Sequence, residues 1–177
     1  MTAFKKLNPK DLQFDPVKKI GMEWMLITAG NAVKCNTMTA SWGGTGFLWN
    51  KPVAFIFVRP QRFTYQFIED NSLFTCSFFD EEDHEKLQFC GTKSGRDTDK
   101  IAATGLHLLE TPEGAFTFNQ ARLYLVCKKL YFQDIEPGGF IDSSVAKHYP
   151  EKDYHRMYIG EIISGAERII EKTSGVR

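Results

Sequence analysis

The 177 residues carry 22 basic and 22 acidic side chains, so the formal net charge is zero. That balance gives no support for a chain held on nucleic acid by wholesale phosphate neutralisation, though it leaves room for a local basic site for one small anion. Hydrophobic residues make up 42% and charged residues 25%, which suits an ordinary soluble chain forming one domain, 1–177. No apolar run approaches the about 18 residues of a membrane span. The opening "MTAFKKLNPKDLQFDP" lacks a signal-type apolar stretch, so a cytoplasmic location is expected.

After this Pro-punctuated lead-in, "EWMLITAG" (23–30) reads as a strand. Gly30-Asn31 is a two-residue turn signal, and "AVKCNTMTA" (32–40) returns as its hairpin partner. Three glycines in "SWGGTGFLWNKP" (41–52) predict a loop. "VAFIFV" (53–58) is a continuous apolar run of strand length that Pro60 ends. "TYQFIEDN" fits one or two helical turns with Thr64 as N-cap. "SLFTCSFF" (72–79) is the next strand.

The acidic start of "DEEDHEKLQFCGTKSG" suits a helix N-terminus, and Gly91 is placed to end that helix. "DTDKIAATGL" is a second short helix stopped by Gly105. "ARLYLVCKKLYFQDI" (121–135) predicts a long strand with a kink or bulge, and "EPGGFIDSS" a turn. "HRMYIGEIISGAERII" (155–170) predicts a last strand, in which Gly160 marks a bulge or a close backbone approach. Strands outnumber the short helices, and long helices alternating with strands are missing, which argues against a doubly wound fold. The fold class is therefore mainly β, a small antiparallel barrel with a few short inserted helices.

Cys35, Cys76, Cys90 and Cys127 are scattered, without C-x-x-C or zinc-ligand spacing, and read as reduced structural thiols. His84, His107, His148 and His155 match no metal motif, so no metal site is expected. The two common nucleotide cradles, G-x-G-x-x-G after a strand and G-x-x-x-x-G-K-[ST], are absent. What stands out is "NTMTASWGG". Asn36, Thr37, Thr39 and Ser41 offer amide and hydroxyl groups, the glycines allow close backbone approach, and Trp42 offers a flat apolar surface. One strand later Arg59 and Arg62 flank a turn, with the Thr64 hydroxyl nearby. Arginine forks and helix N-termini both favour phosphate. In "GTKSGRDTDK", Lys93, Ser94, Arg96 and Lys100 form a second basic and polar cluster, where Ser94 and Gly95 can make an anion nest. A ligand with a flat polar-edged ring and a phosphate tail would use every part of this list. Each part alone also has a bland reading as a solvated face or polar strand edge.

The ordered set "NTMTASWGG", "NKPVAFIFVRPQRFTY", "GTKSGRDTDK" and "HRMYIGEI" resembles the flavin-reductase-like family of FMN-binding split β-barrel proteins, flavoredoxin-type members included. The resemblance runs from the first strand to Gly160. It implies a Greek-key split barrel, a homodimer, and non-covalent FMN near the subunit interface. It also implies electron or hydride exchange with NAD(P)H as co-substrate, or with another small-molecule or protein partner. Nucleic-acid and membrane partners are not implied. The alternatives are a flavoredoxin-like carrier without its own NAD(P)H site, and a relative whose barrel holds haem or pyridoxal phosphate.

Carried onto this chain, the resemblance sets Asn36, Thr37, Met38, Thr39, Ala40 and Ser41 along the isoalloxazine edge. It sets Arg59, Arg62 and Thr64 toward the phosphate or ribityl chain, with Lys93, Ser94, Arg96 and Lys100 meeting or closing over the phosphate. His155 falls where a nicotinamide would approach, as the candidate catalytic residue. The 41–52 stretch departs from the shorter Ser-rich turn and Pro-Pro pair of the smaller two-component reductases. Trp42 and Trp49 are there expected to cap the flavin face, which favours a reductase that keeps its flavin.

Overall fold

The structure is a computed structural model and describes residues 3–169. Its strands are β1 (Phe4–Leu7), β2 (Met25–Gly30), β3 (Cys35–Ala40), β4 (Gly43–Leu48), β5 (Lys51–Val58), β6 (Leu73–Phe78), β7 (Leu108–Glu110), β8 (Phe116–Phe118), β9 (Leu123–Asp134) and β10 (Arg156–Arg168). The α-helices are short: α1 (Thr64–Asp70), α2 (His84–Thr92) and α3 (Lys100–Thr104). One antiparallel sheet runs β3-β2-β6-β9-β10-β5-β4, with β1 also on β10, and β7–β8 is a separate small hairpin. The edges β3 and β4 are consecutive in the chain and joined only by Ser41 and Trp42. The sheet is open there, which is the split of a split β-barrel. The β5–α1–β6 connection crosses to the opposite side of the sheet, as a Greek key requires. Among the described residues no helix is long and apolar enough to cross a membrane.

The inward faces close on one core that includes Ile27, Met38, Ile56, Phe74, Leu125 and Tyr158. Gly160 meets its expectation. The β9–β10 register shifts between Ile159 and Gly160, and a Cβ there would stand 2.7 Å from Phe74 Cζ. Gly105 also meets it, ending α3 in the left-handed conformation at φ 65°.

Several expectations are corrected. The 41–52 stretch is a hairpin, not a loop: β4 pairs with β5 from Gly43↔Ile56 to Leu48↔Lys51. An edge strand on a twisted sheet tolerates glycines. The turn is made by Trp49 (φ 51°) and Asn50 (φ 60°), both left-handed as a two-residue hairpin turn demands. The 30–31 turn is longer than expected. Asn31 N–H donates to Lys34 O at 2.9 Å, and the Asn31 side chain accepts from the Val33 and Lys34 amides. Gly91 does not end α2, which continues to Thr92. Gly91 instead lets the helix lie on Thr39, whose Cβ would be 3.3 Å from an added methyl.

The lead-in holds β1 and a π-helical turn at Val17–Met22, neither predicted. The small hairpin β7–β8 was also unforeseen. The expected turn after β9 contains 3-10 turns at Pro137–Gly139 and Ser143–His148. Ile170, the last residue of the expected final strand, lies outside the described residues.

Candidate functional site

The split in the sheet creates the site. Because β3 has a strand partner only on the β2 side, one row of its peptide groups faces away from the sheet. A cavity of about 210 Å³ opens there. Met38, Thr39 and Ala40 of β3, then Ser41 and Trp42, form one wall. Phe57, Arg59, Arg62 and His155 form the other. Thr39 is tied down from behind, its hydroxyl donating to the Leu87 carbonyl of α2. Asn36 and Thr37 are turned inward. Asn36 Nδ2 donates to Thr64 Oγ1 at 2.8 Å, and Thr37 shares a 2.9 Å hydroxyl contact with Thr28 on β2. Thr64 therefore does not cap α1. Phe63 is the cap residue, and the Thr64 hydroxyl serves Asn36.

The two arginines of "RPQR" have different surroundings. Arg59 pairs with Asp153, to which Gln61 also donates, and its Nη2 donates to the His148 carbonyl at 2.9 Å. Its guanidinium lies over the Tyr149 ring, 5.3 Å from the centroid. Arg62 is half-buried and has no carboxylate partner among the described residues; Nη2 reaches the Cys90 carbonyl at 3.4 Å. The same oxygen accepts from Lys100 Nζ at 3.2 Å, and Lys100 is only 3% exposed. Two cations thus converge on one neutral carbonyl. Burial and the nearby Arg62 charge lower the Lys100 pKa to about 8, and burial with the Arg59 charge lowers that of Arg62. A buried cation without a counter-ion is costly, and among the described residues neither Arg62 nor Lys100 has a carboxylate partner.

His155 is 8% exposed. Trp42 packs against it with ring centroids 4.9 Å apart, and its Nδ1 stands 2.9 Å from the hydroxyl of Tyr149. Burial and the Arg59 charge lower its pKa to about 4, so it is neutral at physiological pH. Neutral imidazole can orient a ligand but carries no charge to it.

Of the residues singled out in the sequence, Met38 to Trp42, Arg59, Arg62 and His155 line the cavity. Asn36, Arg96 and Lys100 line a neighbouring groove of about 460 Å³, with Phe63 and Phe67 on its apolar side. The Cys90 carbonyl links the two depressions, since Arg62 of one and Lys100 of the other both reach it. Arg96 lies over the Phe63 ring and donates to the Gln61 carbonyl at 2.9 Å. Ser94 Oγ accepts from Arg96 N–H at 3.2 Å, a turn contact. Lys93 is exposed at the C-terminal cap of α2. Trp49 does not reach the cavity. It sits at the far tip of the β4–β5 hairpin against Tyr131, centroids 6.1 Å apart.

Sequence reasoning missed Phe57, Tyr149 and Asp153. Phe57 was inside a run read as wholly buried, and the other two come from the 137–153 segment, whose composition says only turn. The 94-residue separation of Arg59 from Asp153 left no local signal.

No curated protein sequence matches the chain. Solved structures share its fold. Flavoredoxin from Methanosarcina acetivorans superposes with TM-score 0.63 at 22% identity, over 81% of this chain and 67% of that one. The FMN-binding domain of a flavin reductases-like enzyme from Shewanella baltica gives 0.68 at 17% identity, over 94% and 78%. The NADH:FAD oxidoreductase SgcE6 of Streptomyces globisporus gives 0.62 at 16% identity, over 83% and 77%. The model of the flavin reductase like domain matches residues 17–172, and the chain, with its barrel split at β3 and β4, belongs to that family.

Proposed function

We propose that this chain is an FMN-binding oxidoreductase that exchanges electrons or hydride between a reduced nicotinamide nucleotide and an acceptor. The observation that carries the reading is the pair of uncompensated cations, Arg62 and Lys100, converging on the Cys90 carbonyl beside the open edge of β3. A phosphate supplies the missing charge, and the outward peptide row of β3 supplies donors and acceptors for a polar ring edge. Thr39 and Ser41 flank that row, and Trp42 closes one end of the cavity. Bound flavin would supply the redox chemistry itself, taking electrons from one partner and passing them to the next. The protein's part is to bind, orient and shield. Arg62 and Lys100 hold the phosphate, β3 holds the ring edge, and His155 faces the incoming partner.

A cavity of about 210 Å³ is smaller than the roughly 300–1,000 Å³ usual for ligand sites. The chain also exposes Phe47 and Trp49 on the β4–β5 hairpin and Tyr131 and Phe132 on β9, each at least 44% accessible. Both facts support a homodimer in which the second copy covers that apolar face and completes the site. A monomer at micromolar concentration in a sizing experiment would remove this part of the proposal.

The deciding measurement is the visible spectrum of the purified protein, with mass identification of whatever heat releases. Stoichiometric FMN supports the reading. A protein that carries no FMN and also refuses added FMN overturns it, whichever other cofactor it holds. Anaerobic bleaching by NADH or NADPH then separates a nicotinamide-using reductase from a carrier reduced by another protein.

A further inference from the structure

The segment Pro137 to Asp153 lies over the His155 end of the cavity, and its one buried residue is Tyr149. Tyr149 is 6% exposed and held on several sides. Phe140 stacks on it at 6.0 Å and 16°, Tyr154 packs at 4.9 Å, and the Arg59 guanidinium covers its ring at 5.3 Å. Its hydroxyl has one side-chain partner among the described residues, His155 Nδ1 at 2.9 Å.

A buried phenol needs an acceptor for its proton. If Nδ1 carried the imidazole hydrogen, the Tyr149 O–H would point at nothing. If Tyr149 donates to Nδ1, both groups are satisfied and the imidazole hydrogen must sit on Nε2. No other protein group hydrogen-bonds the His155 ring among the described residues, so Nε2–H is the valence left for a ligand. The charges facing this pair are mixed, with the arginines prevailing. Arg59 and Arg62, from the turn after β5, disfavour a charged imidazole, Asp153 from the covering segment favours it, and the Trp42 and His148 rings pack nearby. Burial and the arginines keep the ring neutral down to about pH 4.

We infer that Tyr149 is a positioning residue that fixes His155 as its Nε2–H tautomer, so that the cavity offers a hydrogen-bond donor and selects an electron partner bearing an acceptor oxygen. Carbonyl, carboxamide and nitro groups qualify. A partner that must give up a proton to His155 does not. The second half of this inference rests on the cavity being the flavin site.

The test uses the full chain labelled with 15N-histidine. In the wild type, NMR should show His155 as the Nε2–H tautomer throughout pH 5–8. Tyr149→Phe removes only the hydroxyl and keeps the stacking, so the fold is expected to survive. It also removes a hydrogen bond that favours neutral imidazole. The His155 titration should therefore rise above about 4, with burial and the arginines still holding it below its ordinary value, and the tautomers should mix. With FMN bound, the concentration of NADH giving half-maximal bleaching should rise about three- to tenfold, while bleaching by dithionite, which needs no site, stays unchanged. In a His155→Asn background, where an amide donor has no tautomer, Tyr149→Phe should add nothing further.

An Nδ1–H tautomer in the wild type, or an unchanged His155 titration in Tyr149→Phe, overturns the inference. So does an NADH effect that persists undiminished in the His155→Asn background. A wild-type protein that binds FMN but ignores NADH points instead to the carrier reading, and the tautomer spectrum still decides the role of Tyr149.

Discussion

The two ends of the site, the cavity and the groove beside it, solve opposite electrostatic problems with cationic side chains. At one end Arg59 is matched by Asp153 and the His148 carbonyl, and it locks the covering segment against the sheet. At the other end Arg62 and Lys100 share only a neutral carbonyl. At the first end the cation's charge is paired within the fold, although Asp153 Oδ1 is buried without a partner; at the second end it is not. A cation whose partner belongs to the fold contributes stability, while a buried cation with no partner lowers stability until something anionic arrives. Under the proposed function, the difference gives Arg59 an architectural role and Arg62 and Lys100 a recognition role, although only Pro60 and Gln61 separate the two arginines in the chain.

The largest effects should come from the unpaired end, and their signs should be opposed. Lys100→Met keeps the side-chain length and removes the charge. FMN affinity should fall about 10- to 150-fold, as expected for one charge-assisted phosphate contact, while riboflavin affinity barely moves. The same substitution should stabilise the flavin-free protein by about 1–2 kcal/mol, because it removes an uncompensated buried charge. Arg62→Met should behave alike, more weakly on stability because Arg62 is only half-buried. Fluorescence titration and thermal unfolding of the apoprotein read the two signs. Loss of both binding and stability would show these cations to be structural.

A smaller effect is the pH dependence of the same lysine. Its folded pKa is lowered from 10.5 to about 8, so between those values the unfolded chain binds more protons than the folded one. Stability of the flavin-free protein should therefore rise as pH climbs from 8 to 10.5, the penalty being fully present below 8. Phosphate needs the protonated lysine, so FMN affinity should fall above pH 8, by up to about tenfold per unit. Lys100→Met should flatten both curves. A riboflavin titration with the same slope would show that some other group is responsible.

What was legible in the sequence follows the range of the interactions. The β2–β3 hairpin, the apolar β5 and the bulge at Gly160 are written in short stretches, and all appeared. The β4 strand was hidden because glycine reads locally as a breaker, whereas pairing with β5 is decided by the sheet. Trp49 and Asn50 form a left-handed turn that composition alone assigns to Gly or Asn-Gly. Within the site, Met38 to Trp42 and His155 could be singled out because they sit in recognisable segments. The division of labour between Arg59 and Arg62 could not be, since it is set by Asp153, which arrives from 94 residues away. Tyr149 was invisible for the same reason: only the folded chain shows its hydroxyl meeting His155.

The smallest effect belongs to the paired end, and it decides whether the two ends differ at all. Asp153→Asn removes the carboxylate that Arg59 and Gln61 share but retains an acceptor oxygen. The pair is partly exposed, so the stability loss should be about 1 kcal/mol or less. Cleavage within residues 137–153 under limited proteolysis should speed up, because the covering segment loses one of its two ties to Arg59. FMN affinity should change less than about threefold if Arg59's charge is already matched by the fold. If freeing Arg59 instead tightens FMN strongly, or if Arg59→Ala weakens it as much as Lys100→Met does, both arginines serve the phosphate. The Asp153 pair would then be a placeholder that the ligand displaces.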